Sequence, residues 1–449
     1  MNMPSEQTQS AGWGRSIHSD STTSKPLSLD ELQQEVLNQR DSRGVLAFGL
    51  RRSYGDSALN IGGLSIDMEN FSEIAIYPDT QSVTIGAGVS IRTLEKAARE
   101  HQLFPPVVPG TGFVTIGGAI AADIHGKSHH LTGSFSSCVT RIRLLYSDGE
   151  VRDIFPDGPT SPHFWATVGG LGLTGVILEA DLRLVQIESP SVSVEETRAD
   201  DLGSMLAMLK AADGQFQHTV AWIDLSGDFR GRGIVSKGNY FEGSFKENMR
   251  LKKPRSKESP QLRFPEIGNH SLINRHSVRA FNEMWFRKPL AHGLSSLESF
   301  MHPLDRIQNW NRIYGNTGFL QYQFVVPDEN EDFLEHVLGK MKEIGAASFL
   351  GVLKRFGKGS LGHLSFPAPG WTLALDIPTK VENLERTLNE LDEQLCVRGG
   401  RIYLIKDARL RPEFLPIMYP RLDEWRNIRS DMDPRGLWQS DQARRLRIC

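Results

Sequence analysis

Residues 109–130 read PGTGFVTIGGAIAADIHGKSHH. Gly110, Gly112, Gly117 and Gly118 stand among Thr111 and Thr115, and Ala119, Ala121 and Ala122 keep the following residues slim. Glycine has no Cβ, so backbone N–H groups on such a stretch can come close to an anion or lie beside a flat ring. The closing histidines, His125, His129 and His130, include an H-x-x-x-H spacing. No glutamate takes the H-E-x-x-H position and no carboxylates cluster nearby, so no metal is expected.

Two more glycine-bearing stretches flank this one. RRSYGDSALNIGG (51–63) follows the strand-like GVLAFG (44–49) and adds the hydroxyls of Ser53 and Ser57. Alone it reads equally well as a surface turn. GGLGLTGVI (169–177) contains G-x-G-x-x-G at Gly170, Gly172 and Gly175. A nicotinamide-dinucleotide fingerprint leaves a strand and opens a helix, whereas VILEADLRLV continues here as a strand. That context argues against nicotinamide binding.

Around these loops, GLSIDM (63–68), EIAIYP (73–78) and SVTIGAGVSI (82–91) read as short strands. TLEKAAREH (93–101) predicts a helix with Leu94, Ala97 and Ala98 on one face. RIRLLYSDGEVRDI (141–154) carries a D-G hairpin signal. The first 26 residues are polar and predict a loose N-terminal arm. Residues 27–189 then form one α+β unit. From 190 the texture changes. AWIDLS (221–226), GRGIVSKGNYF (231–241), FLQYQFVVP (319–327), SFLGVLKRFG (348–357) and WTLALDIP (371–378) read as strands, and 328–345 and 381–400 as helices. This order suggests a second unit over 190–400, a sheet with helices on one face, with 401–449 a separate closing segment. Alternation sets Gln321 and Gln323 on one face, and likewise Lys354 and Phe356. Two such polar pairs point to a pocket more than to a solvated face.

Composition bounds the reading. The 449 residues are 39% hydrophobic and 23% charged, the profile of a globular protein of two or three units. A net charge of −3 excludes a chain built around nucleic-acid electrostatics. Cys138, Cys396 and Cys449 form neither a disulfide framework nor a zinc motif. MNMPSEQTQSAGWGRS has no apolar signal core, and no long apolar run follows, so a cytoplasmic location is expected, with peripheral membrane contact open. FKENMRLKKPRSKESP (245–260) is strongly basic. It reads as a solvated loop, or as a cover that attracts a lipid phosphate or an anionic membrane.

RRSYGDSALN, PGTGFVTIGGAIAADIHGKSHH, FWATVGGLGLTGVI, MHPLDRIQNWNRIYGNTGFLQYQF, WTLALDIP and the closing SDQARRL together resemble the decaprenylphosphoryl-β-D-ribose 2′-oxidase family. That family belongs to the vanillyl-alcohol oxidase/p-cresol methylhydroxylase flavoprotein superfamily. The likeness runs from Trp13 to the C-terminus. The glycine loops are shared across the superfamily, while the HPLD…WNR…GFLQYQF block and the tail are narrower.

The resemblance implies a two-domain α+β protein. A PCMH-type FAD-binding fold is made by the N-terminal part and the C-terminal segment, with a substrate domain of antiparallel sheet and helices inserted between them. It places the FAD diphosphate on Arg52, Ser53, Tyr54, Gly55, Asp56 and Ser57. Gly110, Thr111, Thr115, Ile116, Gly117 and Gly118 line the next part of the cofactor, with Ile124, His125, Ile177 and Tyr403 also on it. The FAD is expected to be non-covalent. Lys406 stands near N1 and the C2 carbonyl of the flavin, where an ammonium offsets the charge that hydride arrival at N5 creates. Substrate positions are Trp222, His302, Leu304, Trp310, Arg312, Gln321, Gln323, Lys354, Phe356 and Ala374, the last replacing a cysteine of mycobacterial relatives. Lys406 and Tyr54 are the expected catalytic partners of the substrate alcohol.

The activity implied is oxidation of the 2′-hydroxyl of a polyprenylphosphoryl ribose to a ketone, the first half of an epimerisation that a short-chain keto-reductase completes. The rival readings are a sugar or aldonolactone oxidase of the same superfamily acting on a soluble substrate, and a flavin-binding module without turnover.

Overall fold

Val176–Arg183 buries Val176, Ile177, Leu178, Ala180 and Leu182, a run apolar enough to sit inside a sheet. The computed structural model, which describes residues 6–40, 42–226, 231–243, 262–268 and 271–449, places this strand at the centre of a five-stranded sheet. Its neighbours are Ser82–Gly86 and Val139–Leu145, with Ile74–Tyr77 and Val151–Ile154 at the edges, all antiparallel. The formal glycine motif at 170–175 therefore feeds a strand. Val139–Leu145 and Val151–Ile154 form the expected D-G hairpin.

A four-stranded sheet stands beside this one, in the order Glu6–Ala11, His18–Ser24, Leu64–Asp67, Val45–Phe48. Its first two strands correct the expectation of a loose arm. Residues 6–24 are an antiparallel hairpin whose second strand pairs in parallel with Leu64–Asp67. Ser19 and Ser21 are buried, and the Ser65 hydroxyl donates to Ser21 Oγ at 3.1 Å. Val45 bridges in parallel to Trp438, which is fully buried and ties the closing segment to this sheet.

A larger, eight-stranded sheet is antiparallel throughout. Its order is His292–Ser296, Ser191–Ala199, Gly233–Tyr240, His218–Ile223, Gly351–Phe356, Gly370–Pro378, Phe319–Val326 and Arg401–Ile402. Alternation gives it two faces. Tyr322, Phe324, Leu353, Trp371, Leu373 and Leu375 are buried on one of them, where Leu202–Ala212, Asp332–Glu343 and Leu384–Val397 supply the covering helices. Phe324 meets Phe333 of the second helix edge to face at 5.3 Å, and Tyr322 donates to Asp392 of the third at 3.2 Å. The opposite face carries the polar residues discussed below. Residues 245–260, which read as a solvated loop or a basic cover, lie outside the described residues.

Candidate active site

The open face of the eight-stranded sheet, the loop 51–57 and the stretch 109–127 enclose a cavity of about 1070 Å³. Strand register fixes what the sheet presents to it. One row across the strands reads Gln323, Ala374, Val352, Trp222, Ile234, each residue opposite the next. A second pairing sets Gln321 opposite Asp376, and a third sets Lys354 opposite Thr372. The floor thus runs from amides on Phe319–Val326, past the amine of Lys354 on the middle strand Gly351–Phe356, to aromatic and aliphatic side chains on His218–Ile223 and Gly233–Tyr240. Beyond Ile234 the wall includes Phe281 and Trp285, on the helix Arg275–Arg287, both partly open to solvent.

The glycine loops supply the facing wall. A Cβ on Gly110 would meet nothing among the described residues within 4 Å, so the wall leaves room for a ligand there, whereas one on Gly117 would crowd Ala87 at 3.1 Å, so that glycine lets the backbone pack closely. Arg52, Ser53, Ser57, Thr111, Thr115 and Gly118 also line it, as do Ile124, His125, Ile177 and Tyr403. Buried donors on the 51–53 stretch lack partners among the described residues, namely Arg51 Nε and Nη2, Arg52 Nε and Ser53 Oγ. Unpaired buried donors are costly, so this cluster suits an anion such as a diphosphate. FAD therefore fits the residues present.

At the polar end, Lys406 Nζ lies 3.8 Å from the centre of the Tyr54 ring. Burial pushes Lys406 down to about 7, against the attraction of Asp376. Burial pushes Asp376 up to about 7, opposed by a 2.5 Å hydrogen bond from Gln321 Nε2 and by Lys406. Asp376 Oδ2 has no partner among the described residues. Tyr54 is held well above the ordinary phenol range by burial and then by Asp376, with Gln321 and Arg52 opposing, so it remains a neutral donor. Next to this group, Lys354 Nζ donates to His125 Nδ1 at 3.0 Å, and Gln323 sits 3.1 Å from His125 Nε2. Burial, then Lys354, His129 and Lys406, hold His125 far below its usual value, so it is neutral.

The loop that carries Tyr54 is locked by the closing segment. Tyr54 N–H donates to the Ile405 carbonyl at 2.9 Å, and a Cβ on Gly55 would fall 1.9 Å from the Asp407 carbonyl oxygen. Arg445 grips Asp56 through both oxygens at 2.8 and 2.7 Å and reaches Asp407 at 2.8 Å. Gln442 donates to the Leu404 carbonyl at 2.6 Å, and Ile61 N–H donates to Asp441 at 2.9 Å. The tail thus holds Lys406 against Tyr54.

Most of the residues expected at the site share this cavity, including Trp222, Leu304, Trp310, Gln321, Gln323, Lys354 and Ala374. Six do not reach its wall. Gly55 and Asp56 face the tail, and Ile116 lies in the core of the domain. His302 is buried against Glu95 at 2.7 Å. Arg312 turns to Glu266 at 2.8 Å, and Phe356 packs behind His125 at 4.7 Å and His129 at 4.3 Å. Four residues not singled out by sequence reasoning belong to the site or stand directly behind it: Arg51, Lys127 and Asp305 on the wall, and Asp376 beneath Gln321. Lys127 could have been found, because it continues the glycine stretch two residues past His125. Asp376 sits in the apolar strand WTLALDIP and gave no such signal.

Residues 25–154 match the model of an FAD binding domain. Over 455 aligned residues, 99% of this chain and 98% of the other, the chain is 40% identical to a decaprenylphosphoryl-β-D-ribose oxidase of Mycolicibacterium smegmatis. It is 36% identical over 353 residues, 76% of this chain and 95% of the other, to an uncharacterised protein of Streptomyces coelicolor. A D-lactate dehydrogenase of Archaeoglobus fulgidus is 28% identical over 128 residues, 27% of this chain and 28% of its own. The α+β fold is of the PCMH type, and its cofactor is FAD.

Proposed function

Because the chain belongs to the decaprenylphosphoryl-β-D-ribose oxidase family of FAD-dependent oxidoreductases, we propose that it oxidises the 2′-hydroxyl of a polyprenylphosphoryl ribose to the ketone. The observation that carries this reading is the gradient along the cavity floor. A sugar finds Gln321, Gln323, Tyr54 and Lys406 at one end, and a prenyl chain finds Val352, Trp222 and Ile234 at the other. A small soluble sugar or lactone would leave that apolar half in water.

Arg51, Arg52 and Ser53 would hold the cofactor's diphosphate, and His125, Ile177 and Tyr403 would line its ring. Bound FAD supplies the acceptor for the two electrons taken from the carbinol carbon. Tyr54, a neutral phenol, orients the hydroxyl oxygen. Lys406, held at about 7, offers a free amine to the hydroxyl proton near neutral pH. Once protonated, it provides the positive charge that a hydride acceptor needs close by. Both nitrogens of His125 are engaged, by Lys354 and Gln323, which supports a non-covalent cofactor.

The reading extends to organisation and surroundings. Residues 27–189 and 401–449, with the hairpin at 6–24, make the FAD domain, and 190–400 the substrate domain. The product passes to a short-chain keto-reductase. The protein works in the cytoplasm, against the membrane that holds its lipid. No helix among the described residues is long and apolar enough to cross a membrane.

Anaerobic mixing tests the proposal. Farnesylphosphoryl ribose should bleach the flavin, while free pentoses and aldonolactones should not. Lys406→Met should keep its yellow colour but slow bleaching by at least about a thousandfold, the scale of a lost base plus a lost charge. Bleaching by a soluble lactone but not by the lipid would overturn the proposal in favour of a soluble-sugar oxidase.

A further inference from the structure

Midway along the cavity, between its sugar end and its apolar end, stand two lysines. Lys354 rises from the sheet floor, and Lys127 comes down from the end of the glycine stretch. Lys127 Nζ donates to the Met301 carbonyl at 2.8 Å, and Lys354 Nζ donates to His125 at 3.0 Å. Both bonds go to neutral acceptors. Neither lysine forms an ion pair among the described residues, although most cations recessed in a protein wall have one. The surroundings of each are specific. Lys127 faces Asp305, whose Oδ2 is already committed to the Gly112 N–H at 2.8 Å. Lys354 faces Lys127, Lys406 and His125, and no carboxylate among the described residues acts on it. Burial, with Lys127 and Lys406, lowers Lys354 to about 7, and burial lowers Lys127 to about 8. Two neighbouring amines that repel each other, with uncommitted protons turned to a cavity, are short of one anion.

We infer that Lys127 and Lys354 form the subsite for the phosphodiester of the glycosyl lipid, between the sugar at Tyr54–Lys406 and the chain over Val352 and Trp222. This rests on the proposed function and deepens it. The order along the cavity matches the order of bonds in such a substrate: sugar, phosphate, prenyl chain. An ammonium is a mobile point donor, which suits a diester with two free oxygens. Binding an anion there raises both lysines, so substrate capture takes up protons above about pH 7.

The test uses FAD-loaded enzyme and its reduction by farnesylphosphoryl ribose, with farnesyl phosphate, farnesol and inorganic phosphate as competitors. Lys127→Gln should raise KM at least tenfold and weaken inhibition by farnesyl phosphate in proportion, while inhibition by farnesol stays unchanged. Lys127→Arg, which keeps the charge, should recover most of the loss. Inorganic phosphate alone should compete far less well than farnesyl phosphate. Equal loss of farnesyl phosphate and farnesol inhibition would mean a general packing defect and would overturn the subsite. So would competition by inorganic phosphate as strong as that by farnesyl phosphate, which would assign the lysines to free phosphate. Wild-type enzyme that the lipid does not bleach would instead sink the underlying activity, so the two failures are separable.

Discussion

Lys354 carries a stability cost that its replacement should remove. The perturbation is Lys354→Met, nearly equal in length and without charge. The lysine titrates near 10.5 when free and at about 7 in the wall, a displacement driven first by burial and then by Lys127 and Lys406. At about 1.4 kcal/mol per unit, full burial corresponds to roughly 5 kcal/mol. The side chain touches the cavity and its water, so a gain of about 1–3 kcal/mol is the expected outcome. The sign follows from linkage. A lysine with a depressed folded value costs nothing above about 10.5, costs more as pH falls, and reaches its full cost below about 7. The variant should therefore unfold at higher urea than wild type at pH 6.5, with the difference shrinking steadily towards pH 10.5. Intrinsic fluorescence with saturating FAD at five pH values reads this directly, after FAD affinity is shown to be equal. A difference that is absent at pH 6.5, or that grows towards high pH, would refute the reasoning.

Asp376→Asn removes the attraction that keeps Lys406 from falling further, so the limb of the kcat profile governed by Lys406 should move to lower pH by about one unit; an unmoved profile refutes the pairing. Arg445→Met strands Asp56 and Asp407, both nearly inaccessible, and should cost about 3–5 kcal/mol with loss of FAD on gel filtration. Retention of cofactor and an unchanged unfolding midpoint would show the clamp to be dispensable. Phe281, Met284 and Trp285 are exposed on one side of the helix that borders the cavity, so Phe281→Ser with Trp285→Ser should reduce co-sedimentation with anionic vesicles severalfold. Equal sedimentation would refute a membrane role for that rim.

The legible parts of the sequence were those whose chemistry is local. The run Gly110–Gly118 needs several small residues close together, so it stood out without any alignment. Alternation in FLQYQFVV correctly set Gln321 and Gln323 on one face. The hairpin at 6–24 was invisible because its strands, EQTQSA and HSDSTTS, have no apolar alternation and owe their pairing to a sheet formed downstream. Asp56 and His302 were read as ligand-facing because nothing in their own segments reveals their partners. Arg445 lies 389 residues from Asp56, and Glu95 lies 207 residues from His302. Phe356 shares its strand with Lys354, yet the aromatic cluster of His125, His129 and Phe366 draws it away from the cavity.

The clamp between Arg445 and Asp56 also sets an order of events during synthesis. The loop at 51–57 leaves the ribosome early, but the guanidinium that grips it follows 389 residues later. Until then the large sheet can assemble while the nucleotide cradle stays slack, so capture of the vitamin-derived group waits for Arg445. A chain cut short before Ser440 would complete its lipid-facing half and remain colourless.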